Sequence, residues 1–386
     1  MFVAVDVAVA VAVVVAAVVA VVVPAADVAV VDKKNPYYNE PFFLQWHITD
    51  KCPLNCKHCY RDLEKKDLEF ETLLNVLDKF SAFLKKIRKK GRIQFAGGEP
   101  VVSPHLIPLI KESVKRGFPV RILTSGVTLT EEKAREIYEA GCSLIQISLE
   151  GGCDKNEEIR GVGSFDMAIN AMKAARANGI EVTVSMTVSK SNLGSVDEVY
   201  EISRENADRF VAARLIPVGR GGKELGDQLL SKGEVKSVLK KMKKYREAGV
   251  IDVPMRDPLW GALNLNEFFP PKCNIVTGCS VGYNGITLES NGDIMPCRRL
   301  PIVIGNILKD DLIEVWKTSK VLNDVRDRDN LKGECGRCGI KWFCGGCRGI
   351  PYGIDGDYLG EDSQCFRMHL NEKITTFFKP ESKKEK

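Results

Sequence analysis

Between Pro41 and about Gly249, short β-rich runs alternate with stretches whose apolar residues recur at helical spacing. The runs are Phe42–Thr49, Arg92–Ala96, Pro119–Thr124, Ser143–Leu149, Ile180–Val188 and Arg209–Ile216. Between and after them lie the amphipathic stretches Leu68–Lys90, Pro104–Arg116, Glu131–Ala140, Phe165–Ala177, Val196–Glu205 and Gly233–Ala248. Six such repeats predict an α/β fold, a parallel sheet curled into a partial (β/α)6 TIM-like barrel. Its active site belongs at the C-terminal ends of the strands.

After Gly249 the alternation stops. Pro254, Pro258, Pro270 and Pro271 punctuate the switch, and Gly, Asn and Cys become frequent. The organisation this predicts is a low-complexity extension over 1–36, a barrel over 37–250, a linker over 251–272, a small Cys-rich domain over 273–370 and a basic tail over 371–386. Eight of the thirteen cysteines lie between Cys273 and Cys365, a density that suits a domain stapled by metal rather than built on a large core.

The odd cysteine count, at CxxC-type spacings and without a secretory signal, favours metal in a reducing, cytoplasmic compartment over disulfides. The net charge of +5 is small, and Lys379, Lys383, Lys384 and Lys386 supply much of it at the chain's end. No basic stripe interleaved with aromatics is present, so nucleic acid is not an expected partner. From Val7 to Ala26 the chain uses only Val and Ala apart from Pro24. That run is long enough to cross a bilayer. No Lys or Arg precedes it and Val/Ala is weakly hydrophobic, so a low-complexity extension, with a true start near Val31, is the reading preferred to a membrane anchor.

Cys52, Cys56 and Cys59 form a C-x3-C-x2-C loop directly after the first strand. Three thiolates hold three corners of a [4Fe–4S] cube and leave one iron open to a substrate. Zinc is the competing reading, with His58 inside the loop as the fourth ligand. The loop's place at a strand's C-terminal end favours an active site.

At this point the chain resembles the radical S-adenosylmethionine (SAM) superfamily, whose hallmark is this spacing followed by an aromatic residue, as in Cys59-Tyr60. The resemblance implies that the open iron chelates SAM, whose reductive cleavage yields methionine and a 5′-deoxyadenosyl radical that abstracts hydrogen from a substrate. Gly97-Gly98-Glu99-Pro100, at the end of the second strand, resembles the family's GGEP motif, which contacts the methionine amino group. Glycines let backbone approach a ligand closely, and Glu99 is able to accept from an ammonium. Thr124-Ser125-Gly126 stands where relatives often have Thr-Asn-Gly, and Ile147-Ser148-Leu149-Glu150-Gly151 resembles the ISLDG stretch, followed by Ile159-Arg160-Gly161. By resemblance, Ser148 and Arg160 are candidates to hold the SAM carboxylate; the alternative for Arg160 is a helix-facing surface residue.

Cys279, Gly292 and Cys297 give C-x12-G-x4-C, and Cys335, Cys338, Cys344 and Cys347 give C-x2-C-x5-C-x2-C, with Cys365 as a later partner. This resembles the SPASM domain of peptide-modifying radical SAM enzymes, although the last gap is two residues where the usual pattern has three. The family's interleaved ligation implies one auxiliary [4Fe–4S] cluster on Cys273, Cys279, Cys297 and Cys347, and a second on Cys335, Cys338, Cys344 and Cys365. A zinc ribbon on Cys335, Cys338, Cys344 and Cys347 uses the same spacings but strands four other cysteines.

Cys142 reads as a small buried hydrophobe, and Cys153 as a residue near the active site without an assigned role. His47, His105 and His369 lack metal-ligand spacing. Arg220 ends the sixth repeat's strand loop, where it either meets an acidic substrate group or is simply solvated. The resemblance spans Phe42 to about Asn371 and implies three [4Fe–4S] clusters, SAM, a peptide or protein substrate, and a reducing partner such as ferredoxin or flavodoxin. The implied activity is maturation of a ribosomally made peptide by thioether or carbon–carbon crosslinking or side-chain oxidation. Arg298 and Arg299 argue against a sulfatase-maturing role, in which an acidic residue follows the cysteine matching Cys297. The rival reading is haem or other cofactor biosynthesis, with Arg220, Arg298 and Arg299 on porphyrin carboxylates. A third, of another class, is a non-enzymatic Fe–S or zinc scaffold. No catalytic acid or base is identifiable.

Overall fold

The computed structural model describes residues 40–61, 65–263 and 278–367. The extension over 1–36, the end of the linker from residue 264, Cys273, His369 and the basic tail lie outside the described residues.

Strands β1 (Phe42–His47), β2 (Gly91–Ala96), β3 (Val120–Thr124), β4 (Leu144–Ser148), β5 (Glu181–Val188) and β6 (Arg209–Arg214) match the expected runs to within two residues at either end. They pair in parallel in sequence order. The expected helices appear as Phe70–Lys86, Leu106–Lys115, Glu131–Glu139, Ser164–Ala177, Val196–Asn206 and Lys232–Ala248. Local chemistry fixes their ends. Thr130 accepts the Lys133 amide at 3.2 Å to open Glu131–Glu139. Ser231 and Glu234 form a reciprocal capping box, and Gly249, at φ 65°, closes the same helix.

The sheet does not stop at β1. Strand β7 (Gly285–Leu288) lies parallel along its other edge, Phe43 against Gly285 through Trp46 against Leu288. Strands β8 (Asp293–Met295) and β9 (Gly305–Asn306) continue antiparallel. Four residues opening on glycine are too short for periodicity to flag, so the sequence reading missed this extension. It makes the cysteine-rich residues part of the barrel's own sheet.

Alternate strand positions divide the interior. Phe42, Leu44 and Trp46 are buried outward, where the Phe42 ring meets Phe83 at 5.1 Å and Trp316 at 5.0 Å. Many inward positions are polar: Gln45 and His47 on β1, Gln94 on β2, Gln146 and Ser148 on β4, Ser185 and Thr187 on β5. The lumen is therefore more polar than the layer between strands and helices. Among the described residues, no helix is long and apolar enough to cross a membrane.

Arg214, the last residue of β6, ties the C-terminal segment to the barrel. Its Nε donates to Asp257 Oδ2 at 2.7 Å, its Nη1 to Asp362 Oδ1 at 3.1 Å and Gln364 Oε1 at 2.8 Å, and its Nη2 to Asp362 Oδ2 at 3.0 Å. All four residues are buried. Removing one partner of a buried charge network leaves the others uncompensated, at a cost of about 3–5 kcal/mol. Arg214→Gln is therefore expected to lower the unfolding free energy of the anaerobically reconstituted protein, read from denaturant titration, by that much, whereas an unchanged midpoint and slope would show that the network holds nothing together.

Candidate active site

A cavity of about 1070 Å³ opens at the C-terminal ends of the strands. Cys52, Cys56, Cys59, Gly97, Gly98, Ser148 and Arg160 line it, together with Arg220, Arg298 and Arg299. The three-cysteine loop and the glycine turn are stitched back to back by backbone. Gly98 N donates to Thr49 O and Glu99 N to Lys51 O, both at 2.8 Å. A Cβ on Gly97, at φ 147°, would sit 2.3 Å from Thr49 O, and one on Gly98 2.3 Å from Lys51 O, so only glycine permits this approach. The loop's far side is held by Lys57 N on Ile159 O at 2.9 Å and by Gly221 N on Cys59 O at 2.8 Å.

Glu99 is fully buried and braces β2 against β3. It accepts from Val101 N at 3.2 Å, Thr124 Oγ1 at 2.6 Å and Ser125 N at 2.8 Å, and also from Ser125 Oγ. Arg160 is buried rather than on a helix surface. Its Nη2 and Nε meet Glu150 Oε1 at 2.6 and 3.1 Å, and its Nη1 lies 3.9 Å from Cys56 Sγ. His58 Nε2 is 3.1 Å from the same oxygen. Burial opposes the Glu150 charge, but His58 and Arg160 overcome it and hold the carboxyl down to about 2. Arg160 sits at the end of a helix, Cys153–Arg160, that the sequence reading lacked; with Ile159 its main apolar residue, it carries no amphipathic stripe.

The sequence reading also missed a buried polar chain around His47. His47 Nδ1 and Arg61 Nη2 both donate to Glu289, each at 2.8 Å. A carboxylate only accepts, so His47 carries its proton on Nδ1. Its Nε2 then accepts from Tyr60 Oη and Gln45 Nε2, both at 3.1 Å. Gln45 Oε1 in turn accepts from Arg298 Nη1 at 3.1 Å. Burial, then the Arg61 charge, lowers His47 to about 4, so the imidazole is neutral at pH 7. The signal was absent from sequence because Glu289 lies 242 residues away.

The C-terminal thiols fall into two groups. Cys344 is surrounded by Cys335, Cys365 and Cys338, and burial followed by their charge pushes it well up. Cys347 instead neighbours Arg299, Arg214 and Cys279; burial pushes it up to about 11. Cys297 and Cys347 both lie near Arg298. Asp362 joins the two groups, accepting from Cys347 N at 2.9 Å while its own amide points at Cys335 Sγ at 3.4 Å. Cys142 is buried against Val120 O and Leu144 O, as expected. Cys153 is exposed at the start of its helix and does not line the cavity.

The radical SAM superfamily model matches residues 46–202, and an iron–sulfur cluster-binding domain, SPASM, matches residues 279–339. The chain carries a radical SAM domain followed by a SPASM domain. It is 26% identical over 352 residues to the AdoMet-dependent heme synthase of Methanosarcina barkeri, covering 85% of this chain and 97% of that protein. It is 28% identical over 359 residues to the mycofactocin maturase MftC of Mycobacterium tuberculosis, covering 85% and 84%. In structure it is similar to Streptococcus suis SuiB bound to S-adenosylmethionine, with a TM-score of 0.67, 18% identity, and coverage of 85% and 77%.

A radical SAM domain followed by a SPASM domain implies SAM, a SAM-binding [4Fe–4S] cluster and auxiliary clusters. The residues present suit them. Thiols, the soft donors that iron–sulfur clusters take, neighbour one another in the Cys52 loop and around Cys344, although among the described residues no three or more of His, Cys, Asp and Glu stand where a single metal ion would be held; buried polar atoms without a partner, His58 Nδ1 and Arg61 Nη1, belong to residues that line the cavity.

His47 also makes a pH signature. Its folded pKa is depressed to about 4 from 6.5, so the stability it contributes is present above pH 6.5 and is lost as pH falls towards 4. Glu289, Arg61 and Tyr60 face it. Between pH 7 and 5.5 the loss is about 1 kcal/mol. The slope of stability against pH is expected to flatten by that amount in His47→Asn; an unaltered slope in denaturant titrations would place the titrating group elsewhere.

Proposed function

We propose that this chain is a radical SAM enzyme acting on a peptide or protein substrate. The observation that carries the proposal is the three-cysteine loop fixed against the GGEP turn at one wall of a cavity whose other wall, Arg298 and Arg299, abuts the Cys297 and Cys347 thiols. Relatives named as peptide-modifying enzymes, the mycofactocin maturase and the PqqA peptide cyclase of Gluconobacter oxydans, support the substrate class.

In this reading Cys52, Cys56 and Cys59 hold the SAM-binding cluster. Cys335, Cys338, Cys344 and Cys365 hold one auxiliary cluster, and Cys279, Cys297 and Cys347, with Cys273, hold the other. When bound, the first cluster supplies the electron that cleaves the SAM sulfonium and so generates a 5′-deoxyadenosyl radical. The chain's own residues orient and enclose. Gly97 and Gly98 present bare backbone to the methionine end of SAM, and Pro100 fixes the turn that follows. Glu99 keeps that turn locked to β3. Ser148 and the Nη1 edge of Arg160 are the groups assigned to the SAM carboxylate; Glu150 takes the rest of the guanidinium. A small reducing protein of the ferredoxin or flavodoxin class supplies electrons, and the thiol-rich clusters suit the reducing cytoplasm.

A second reading has its own observation. The heme synthase relative is matched over 97% of its length, and Arg220, Arg298 and Arg299 give the cavity a wall of guanidinium groups that fits the carboxylates of a tetrapyrrole. Incubation of reduced enzyme and SAM with a cognate precursor peptide or with an iron–porphyrin carboxylate separates the two: each predicts 5′-deoxyadenosine formation coupled to one substrate alone.

Two measurements test the shared core. Anaerobically reconstituted protein is expected to carry about twelve irons, and replacing Cys52, Cys56 and Cys59 by Ala together to leave about eight while abolishing SAM cleavage. Stoichiometric zinc, or iron lost entirely with those three cysteines, would refute the assignment. Gly98→Ala drives a methyl into Lys51 O, so SAM affinity is expected to fall at least about tenfold, about 1.4 kcal/mol, with iron content retained. Unchanged affinity in equilibrium dialysis would remove the turn from the SAM site.

A further inference from the structure

Two arginines, Arg328 and Arg348, stand behind the C-terminal thiols and do not line the cavity, and they are exposed by only 4% and 1%. Arg328 Nη2 donates to Cys279 O at 2.6 Å, its guanidinium lies over the Tyr283 ring at 5.7 Å, and its Nη1 is buried without a hydrogen-bond partner. Arg348 Nη1 donates to Gly360 O at 2.6 Å and to Tyr358 O at 3.2 Å, and its Nε is likewise buried and unpartnered. Its Nη2 donates to Cys335 Sγ at 3.7 Å. Among the described residues, neither arginine forms an ion pair with a carboxylate.

The acids within electrostatic reach of Arg348 are Asp357 and Asp362, and both are engaged elsewhere. Asp362 accepts from Arg214 and from the Cys347 amide, and Asp357 accepts from Lys332 and from the Leu359 amide. A guanidinium taken out of water with only carbonyls and a sulfur bonded to it is costly. An anionic centre held through Cys335 offsets that cost.

Arg160 supplies the contrast. It too points a nitrogen at a thiol, Nη1 at 3.9 Å from Cys56 Sγ, but its Nη2 and Nε are bonded to the buried Glu150, so the pair presents little net charge to that thiol. Arg348 has no such counter-ion. The Cys335 sulfur also receives the Asp362 amide at 3.4 Å. Gly346 keeps the approach open: a Cβ there, at φ 57°, would sit 2.8 Å from Arg348 Nη2 and 3.4 Å from Cys335 Sγ.

We propose that Arg348 sets the reduction potential of the auxiliary cluster assigned to Cys335, Cys338, Cys344 and Cys365, raising it through a charged hydrogen bond to Cys335. Net charge and hydrogen bonds to the sulfurs govern such potentials. A buried cation beside the sulfur favours the state that holds one more electron. The cluster is thereby biased to accept an electron and not to release one. The inference rests on the ligand assignment made above and goes beyond it in naming the residue that tunes the group.

Potentiometric titration of the anaerobically reconstituted protein, followed by electron paramagnetic resonance, tests it. Arg348→Gln is expected to lower the midpoint of one auxiliary cluster by at least about tenfold in its reduction equilibrium, about 59 mV for one electron, with iron content and the other midpoints unchanged. Arg348→Lys, which keeps the cation, is expected to recover most of that shift. Should Arg348→Gln lose iron, the wild type and Arg348→Lys are compared with isotope-labelled guanidinium nitrogens: a nitrogen coupling to the reduced cluster is expected in the wild type and not in the Lys variant. Unchanged midpoints in iron-replete Arg348→Gln, or identical couplings in that comparison, overturn the proposal. Loss of iron from both variants assigns Arg348 to assembly alone and also overturns it. Zinc in place of auxiliary iron in the wild type is told apart by elemental analysis, and it removes the ligand assignment together with the proposal.

Discussion

Glu150 is fully buried at the end of β4, where its charge persists because Arg160, His58 and the Thr187 amide converge on it. The same device recurs beside each group of thiols. Glu289 gathers His47 and Arg61 just behind Cys59, and Asp362 gathers Arg214 and the Cys347 amide. Buried pairs of this kind add little net stability, because desolvation consumes most of the attraction. What they add is direction. A thiol on a loop makes weak hydrogen bonds and has no preferred orientation of its own, so the loop's geometry has to be imposed by groups that cannot move without stranding a charge.

Strand pairing then decides which of these pairs meet. The register Trp46 against Leu288 carries β1 and β7 forward together, so the next residues, His47 and Glu289, arrive side by side. The loop that begins five residues after His47 holds Cys52, and the turn after β8 holds Cys297. The nearness of the first thiol set to Cys297 is therefore a property of backbone hydrogen bonding in one continuous sheet. Side chains such as Gln45 and Arg298 refine a separation already fixed by the ladder.

The elements legible in the sequence are those whose signal is local. The six strands and six helices show in periodicities shorter than twenty residues, and the cysteine loop and glycine turn each lie within nine residues. Their mutual contact follows from adjacent parallel strands ending at one level. The illegible parts share a different cause. His47 with Glu289 and Arg214 with Asp362 are single polar residues separated by 242 and 148 positions, and no local pattern distinguishes them from solvated ones. Arg160 was singled out as a ligand-binding fork, whereas most of its fork is committed to Glu150. The short helix that delivers it is set by Asn156, which bonds the Glu150 amide and Ser164, and not by an apolar face.

The same separation bears on how one scaffold serves relatives with different named activities. The residues that brace the wall beside the three-cysteine loop, Gly97, Gly98, Glu99 and Glu150, are fixed by backbone approach or by saturated buried charge, and changing any of them costs the geometry of the thiol loop. Arg220, Arg298 and Arg299 are different. Arg220 bonds the Cys56 carbonyl and has a partly exposed partner in Glu224, and among the described residues Arg298 bonds the neutral Gln45 amide. Burial and the adjacent Arg299 both press on the Arg298 charge. A cation held by a neutral partner is the cheapest group in the cavity to exchange, because its removal strands no carboxylate. It is also the group whose energy changes most when an anion arrives beside it in a desolvated space. The side chains that can change without stranding a carboxylate therefore lie on the wall supplied after β6 and after β8, while the wall supplied by β1 to β4 is held by backbone approach and saturated buried charge.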